Sequence, residues 1–207
     1  MTTGSDLLDL SPVMPVVVLD DASDAVPTAR ALLAGGIPVI ELTLRTEAAM
    51  ESIRRIAAEV PQIMVGAGTV TTPEHARLAA DAGSSFLVTP GATDGVLEAA
   101  FDTGLPFLPG AGTVSEAMKL LERGLSAVKF FPAEAAGGVN FLRSVSGPLP
   151  SLRFCPTGGI TARTAGDYLA LPNVGCVGGS WLTPKDSIAA KDFDTVERLA
   201  RQAAALG

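Results

Sequence analysis

With 207 residues, 47% of them hydrophobic, the chain can bury a substantial core and is read as one globular domain over 1–207. A net charge of −7 with 15 basic residues opposes sequence-independent binding to nucleic acid or to an anionic membrane surface, so an anionic ligand must be captured locally. Apolar runs such as 13–19 are too short to cross a bilayer, and residues 1–9 lack a basic-then-apolar signal-peptide pattern; the profile predicts a cytoplasmic protein without membrane or nucleic-acid partners.

In chain order, β-branched and apolar runs predict strands near 13–19, 37–44, 62–66, 85–89, 106–109, 126–131, 153–157 and 174–178. Between most neighbours lie Ala/Leu/Glu/Arg-rich stretches with helical spacing, among them 47–59, 73–82 and 115–123. Thr72-Pro73-Glu74 reads as a cap and first turn, and Ser115-Glu116 as a polar cap before an acid. Strands recurring roughly every 21 to 27 residues suit parallel βα units, and eight such units close a (β/α)8 TIM barrel. Gly66-Ala-Gly-Thr-Val70 reappears two units later as Gly110-Ala-Gly-Thr-Val114, in support of internal repetition. An open doubly wound sheet is the alternative, but no G-x-G-x-x-G follows the first strand.

Lys129 stands in Ala127-Val128-Lys129-Phe130-Phe131-Pro132, an ammonium group inside an apolar, aromatic strand pattern, whereas Lys119, Lys185 and Lys191 have polar neighbours. Burial penalises an ammonium and favours free amine, the form that attacks carbonyls to give a Schiff base. A structural lysine ion-paired to a carboxylate is the competing reading. Period-two alternation puts Glu41, Thr43 and Arg45 on one face of the second strand. If that face and the Lys129 face both turn into the barrel, Glu41 approaches Lys129 as an acid/base group while Arg45 stands near the rim as an anion anchor. Glu41 can also be a plain counter-ion, and the two roles coexist.

Thr69, after the third strand, offers a hydroxyl and nearby backbone N–H groups to the same anion, or simply makes a turn. Thr157-Gly158-Gly159-Ile160 and Gly178-Gly179-Ser180-Trp181 follow the last two strands, where barrels often bind phosphate. The single histidine, His75, falls in a helix with no partner ligands, so neither a metal nor a cofactor is expected. Cys155 and Cys176 read as buried free thiols, and Phe86, Phe101, Phe107 and Phe154 as core.

The motifs Glu-Leu-Thr-Leu-Arg-Thr from Glu41, Gly-Ala-Gly-Thr-Val from Gly66, Thr-Pro-Gly from Thr89, Lys-Phe-Phe-Pro-Ala-Glu from Lys129, Pro-Thr-Gly-Gly-Ile from Pro156 and Gly-Gly-Ser-Trp from Gly178 closely resemble those of bacterial 2-keto-3-deoxy-6-phosphogluconate (KDPG) aldolases. Some members of that family also cleave 4-hydroxy-2-oxoglutarate (KHG). The resemblance spans nearly the whole chain and implies a homotrimer of single (β/α)8 barrels with a short N-terminal helix. It further implies a metal-independent class I aldolase that forms pyruvate and glyceraldehyde 3-phosphate. By the matching motifs Lys129 is the Schiff-base lysine and Glu41 the acid/base residue. Arg45, Thr69 and Pro90 line the pyruvate end, and Phe131 packs on the substrate. Gly158, Gly159, Gly178, Gly179 and Ser180 hold the phosphate, with Thr157 beside them. KHG and 2-keto-3-deoxy-6-phosphogalactonate are alternative substrates. A noncatalytic phosphosugar-binding barrel, with Lys129 and Glu41 statically paired, is the alternative of another class, and a sugar-phosphate isomerase leaves the buried lysine less well explained. Where some relatives carry basic residues around the first strand, this chain has Val13 before it and Asp20-Asp21 after it, which weakens steering of a doubly anionic substrate or favours a smaller one.

Overall fold

Short β-branched runs punctuated by Gly and Pro become parallel strands, and the amphipathic stretches between them supply the crossovers that parallel pairing requires. The computed structural model describes residues 3–206. Its strands are β1 (Val13–Val17), β2 (Val39–Thr43), β3 (Met64–Gly68), β4 (Phe86–Val88), β5 (Phe107–Leu108), β6 (Gly110–Ala111), β7 (Ala127–Phe130), β8 (Arg153–Pro156) and β9 (Val177–Gly179). Its helices are α1 (Gly4–Leu8), α2 (Ala25–Ala34), α3 (Ala49–Glu59), α4 (Pro73–Asp81), α5 (Asp94–Asp102), α6 (Val114–Glu122), α7 (Gly138–Val145), α8 (Ala165–Leu169), α9 (Lys185–Ala189) and α10 (Phe193–Ala204). None is long and apolar enough to cross a membrane.

All strand pairs are parallel, in the orders β5-β4-β3-β2-β1-β9 and β6-β7-β8, so the chain is an α/β protein built on a curled parallel sheet. This differs from one continuous eight-stranded ladder. The expected fifth strand is cut at Pro109, which has no N–H to donate: β5 pairs with β4 on one side of the proline and β6 with β7 on the other. The Pro109 carbonyl nevertheless accepts the Lys129 backbone N–H at 2.9 Å. β8 meets the β9 side only through the bridges Phe154↔Val174 and Thr157↔Gly178.

The helix signals act largely where expected. Thr72 caps α4 by accepting the His75 N–H, with Pro73 in the first turn. α6 begins at Val114 under Thr113 rather than under Ser115: the Thr113 hydroxyl accepts the Glu116 N–H, and the Glu116 carboxylate accepts those of Gly112 (2.8 Å) and Thr113 (2.9 Å). Those donors, the Gly112 N–H foremost, hold Glu116 below the usual glutamate range. α3 starts at Ala49, two residues late, because 45–48 form turns.

α1 closes the amino-terminal end of the strands. Leu7 and Leu8 are buried, Gly4 lies against Phe107 and Ala127 at the starts of β5 and β7, and Asp9 accepts two hydrogen bonds from Arg153 at the start of β8 (2.6 and 3.0 Å). Both cysteines are free and buried. Phe86, Phe107 and Phe154 are core, but Phe101 is 41% exposed; it sits on α5, edge-on to Phe107 with Arg123 over its face.

Candidate active site

β2 and β7 carry the two charged side chains that the core encloses together. Glu41 and Lys129 are only 1% and 5% exposed, and Lys129 Nζ donates to Glu41 Oε1 at 3.1 Å. A buried ammonium and carboxylate each carry a large desolvation cost, so neither is stable there without the other. Alternation along the two strands aims both inward, and their strand neighbours make the space. Gly68, opposite Thr43 on β3, leaves its Cβ position open to the Glu41 side chain: a methyl there would stand 2.5 Å from Glu41 Cγ and 2.6 Å from Cδ. Beside Lys129 lie Gly110 of β6 and Cys155 of β8. Gly110 lets the backbone of Pro90, after β4, come close, and the Thr89 hydroxyl accepts the Gly110 N–H at 3.1 Å.

The other expected residues gather at the carboxyl ends of the strands. Phe131 follows Lys129 at the end of β7, its ring centroid 5.6 Å from Lys129 Nζ, within cation–π range. The same ring packs on Gly158. Thr69 follows β3 with φ +59, a left-handed conformation that costs a β-branched residue about 1–2 kcal/mol. Strain of this kind is retained where the surroundings over-determine it, commonly at ligand sites. Thr43, which shares the Glu41 face, is buried and donates its hydroxyl to the Val17 carbonyl at 3.1 Å; it ties β1 to β2. Arg45 lies in the turn beyond β2, exposed and without an ion-pair partner among the described residues.

The two glycine segments differ from each other. Gly158 and Gly159 form a loop after β8 with φ +103 and +83. Gly178, the last residue of the predicted strand, and Gly179, expected in the loop after it, both lie within β9, paired with Met14 and Pro15. Only Ser180 begins the following loop, and it is exposed. Thr157 is buried, bridged to Gly178 and packed over it. His75 is in the first turn of α4 near Thr71, and no three His, Cys, Asp or Glu side chains converge as a metal-binding group among the described residues. Sequence patterns alone did not point to Gly68 or Cys155 at the site; Gly68 was visible only as the second glycine of a repeated motif.

A family model described as KDPG and KHG aldolase matches residues 5–199. A 2-dehydro-3-deoxy-phosphogluconate aldolase of Dickeya dadantii is 50% identical over 204 residues, covering 99% of this chain and 96% of the relative. A KHG/KDPG aldolase of Escherichia coli K12 is 49% identical over 202 residues, covering 98% and 95%. The crystal structure of a KDPG aldolase from Legionella pneumophila, with pyruvate captured at low pH as a covalent carbinolamine intermediate, superposes with a TM-score of 0.96 at 41% identity and covers 98% of both chains. The chain belongs to the KDPG and KHG aldolase family.

Proposed function

We propose that this protein is a class I aldolase, a lyase that reversibly cleaves KDPG to pyruvate and glyceraldehyde 3-phosphate through a Schiff base on Lys129. The observation that carries the reading is the buried Lys129–Glu41 pair at 3.1 Å, a nucleophile and a proton carrier within hydrogen-bond reach. The Dickeya and Legionella relatives support the same assignment.

In this mechanism the Lys129 amine attacks C2 of the keto acid, and Glu41 exchanges protons with Nζ and the carbinolamine oxygen as water leaves. Glu41, as the carboxylate, then takes the C4 hydroxyl proton through water, and the C3–C4 bond breaks. Its electron pair flows into the protonated imine, which releases glyceraldehyde 3-phosphate and leaves an enamine. Protonation at C3 and hydrolysis of the imine free pyruvate and restore the amine. Arg45, Thr69 and Pro90 receive the carboxylate end, Arg45 through its planar fork, and Phe131 packs on the bound chain. Thr157, Gly158, Gly159 and Ser180 take the phosphate end, where Gly178 and Gly179 serve by leaving room, since both lie in the sheet ladder.

The finer architecture belongs to the same proposal: one (β/α)8 domain over 1–207, in which β5 and β6 count as one strand bent at Pro109 and the bridges between β8 and β9 form the seam. Its assembly is a homotrimer, supported by the family resemblance, in the cytoplasm, a reading supported by the lack of a signal-peptide pattern in residues 1–9; the net charge of −7 disfavours nucleic acid and anionic membranes as partners. KHG is a second substrate favoured by a specific observation. Asp20 and Asp21 stand at the carboxyl end of β1; Lys185, 3.9 Å from Asp20, offsets one of the two charges, and the remaining acidic rim lessens the advantage of a dianionic phosphate. Borohydride reduction with pyruvate, followed by peptide mass spectrometry, tests the core claim. An adduct confined to Lys129 is expected; folded protein without an adduct overturns the mechanism.

A further inference from the structure

The phosphate-end loop has a weak point in its own backbone. Gly158 and Gly159 are consecutive left-handed residues, and glycine confers little conformational preference of its own. A loop that receives a phosphate through backbone amides needs those amides held in place before the ligand arrives. The constraint must come from neighbours, and the turn after β7 supplies it. The Ala133 and Glu134 N–H groups donate to the Thr157 and Gly158 carbonyls at 2.8 and 3.1 Å. The Glu134 side chain lies flat on Gly159, where a Cβ would come within 2.7 Å of Glu134 Cγ and 2.8 Å of its Cβ.

Glu134 is exposed, and one side-chain hydrogen bond ties down its carboxylate among the described residues. Tyr168, the only tyrosine of the chain, has its ring buried in α8 and donates its hydroxyl to Glu134 Oε1 at 2.7 Å. Burial first, and the Glu134 hydrogen bond next, push the phenol well above its ordinary value, so it stays a donor through the neutral range. Gly138 completes the nest, since a Cβ there would stand 2.9 Å from the Tyr168 hydroxyl. A carboxylate repels phosphate, so Glu134 is poorly suited to be a phosphate ligand. Its geometry suits bracing instead.

We propose that Glu134 and Tyr168 are positioning residues for the phosphate-end loop 157–160: the Tyr168 hydroxyl fixes the Glu134 carboxylate, and the Glu134 side chain holds the double-glycine turn in its binding conformation. The inference rests on the aldolase reading for the identity of the ligand. It predicts a dependence on the phosphate alone, because Lys129, Glu41 and the pyruvate end lie outside the brace.

The test compares Tyr168→Phe, Glu134→Ala and Glu134→Gln with KDPG and with KHG, which has no phosphate. Tyr168→Phe and Glu134→Ala are expected to raise KM for KDPG by about five- to twentyfold, with kcat and both KHG constants within about twofold of wild type. Glu134→Gln, whose amide oxygen still accepts from Tyr168, restores the KDPG KM. Titration of glycerol 3-phosphate, read by the fluorescence of Trp181, the only tryptophan, weakens by the same factor. An unchanged KM for KDPG overturns the inference, as does a parallel loss with both substrates, the mark of a general structural role. Wild type that fails to trap pyruvate sinks the aldolase reading, while the glycerol 3-phosphate titration still decides the brace. If Tyr168→Phe fails to fold, the brace stands or falls on the contrast between Glu134→Ala and Glu134→Gln: equal KM values for KDPG in the two variants overturn it.

Discussion

Gly68→Ala isolates the geometry of the Lys129–Glu41 pair without removing either residue. The strand backbone at Gly68 tolerates alanine, but the new methyl would lie 2.5 Å from Glu41 Cγ and 2.6 Å from Cδ. Carbon atoms pack comfortably at about 3.5–4.0 Å, so the Glu41 side chain must retreat by about 1 Å. The 3.1 Å contact of Oε1 with Lys129 Nζ is already close to the limit of hydrogen-bond range, about 3.5 Å, so a shift of that size is expected to break it. Displacement of a catalytic group by 1 Å costs about 100-fold in rate, or about 2.7 kcal/mol of barrier. Overpacking lowers stability by about 1–3 kcal/mol, partly offset by the reduced entropy of the unfolded chain. Steady-state pyruvate release gives kcat, and denaturant unfolding gives stability. Gly66→Ala is the control: two residues earlier on β3, its methyl would strike the buried Phe86 ring, 2.5 Å from Cδ2, rather than the Glu41 side chain, and should lower stability with a far smaller effect on kcat. A folded Gly68→Ala enzyme with wild-type kcat would refute the assignment of proton transfer to Glu41 in this position.

Lys129→Ala is expected to abolish cleavage and the borohydride-trapped adduct while the protein still folds. It leaves Glu41 buried without its ammonium, and denaturant titration should show a loss of about 3–5 kcal/mol; undiminished turnover would defeat the Schiff-base mechanism. Ser180→Ala should chiefly raise KM for KDPG in steady-state assays, and an unchanged KM removes Ser180 from the phosphate end. Glu116→Gln should lower the melting temperature at neutral pH by weakening the α6 capping box. The hydrogen bonds from Gly112 and Thr113 depress the Glu116 carboxyl below its ordinary 4.5. The wild-type advantage is therefore complete above that value and fades as pH falls through the lowered one. A difference that persists undiminished in strong acid would contradict the carboxylate's part in the cap.

Much of the secondary structure was legible because its signals are local. Runs of β-branched and apolar residues marked β1, β2 and β7, and Thr72-Pro73 marked the start of α4. The cap of α6 was legible too, in the Thr-x-x-Glu spacing of Thr113 and Glu116, but Ser115 competed for it. Pro109 was visible as the end of a predicted strand. Its effect, a strand shared between two sheet segments, depends on which neighbours pair on either side. The continuation of β9 through Gly179, one residue past the predicted strand, escaped prediction for a similar reason: glycine has low strand propensity, and pairing with β1 keeps it extended. Tyr168 gave no local sign of its partner, 34 residues away.

By itself the sequence determined the alternation of strand and helix, the strand faces on which Glu41 and Lys129 stand, the scarcity of metal ligands and the family motifs, because each depends on residue identity and short-range period. Tertiary structure decided that Glu41 and Lys129, 88 residues apart, meet at 3.1 Å, that Gly68 clears the space between strands, and that Thr69 is held in a left-handed turn. Period fixes the face a side chain takes, but the atom it touches is set by strand register and long-range packing, which no local pattern contains.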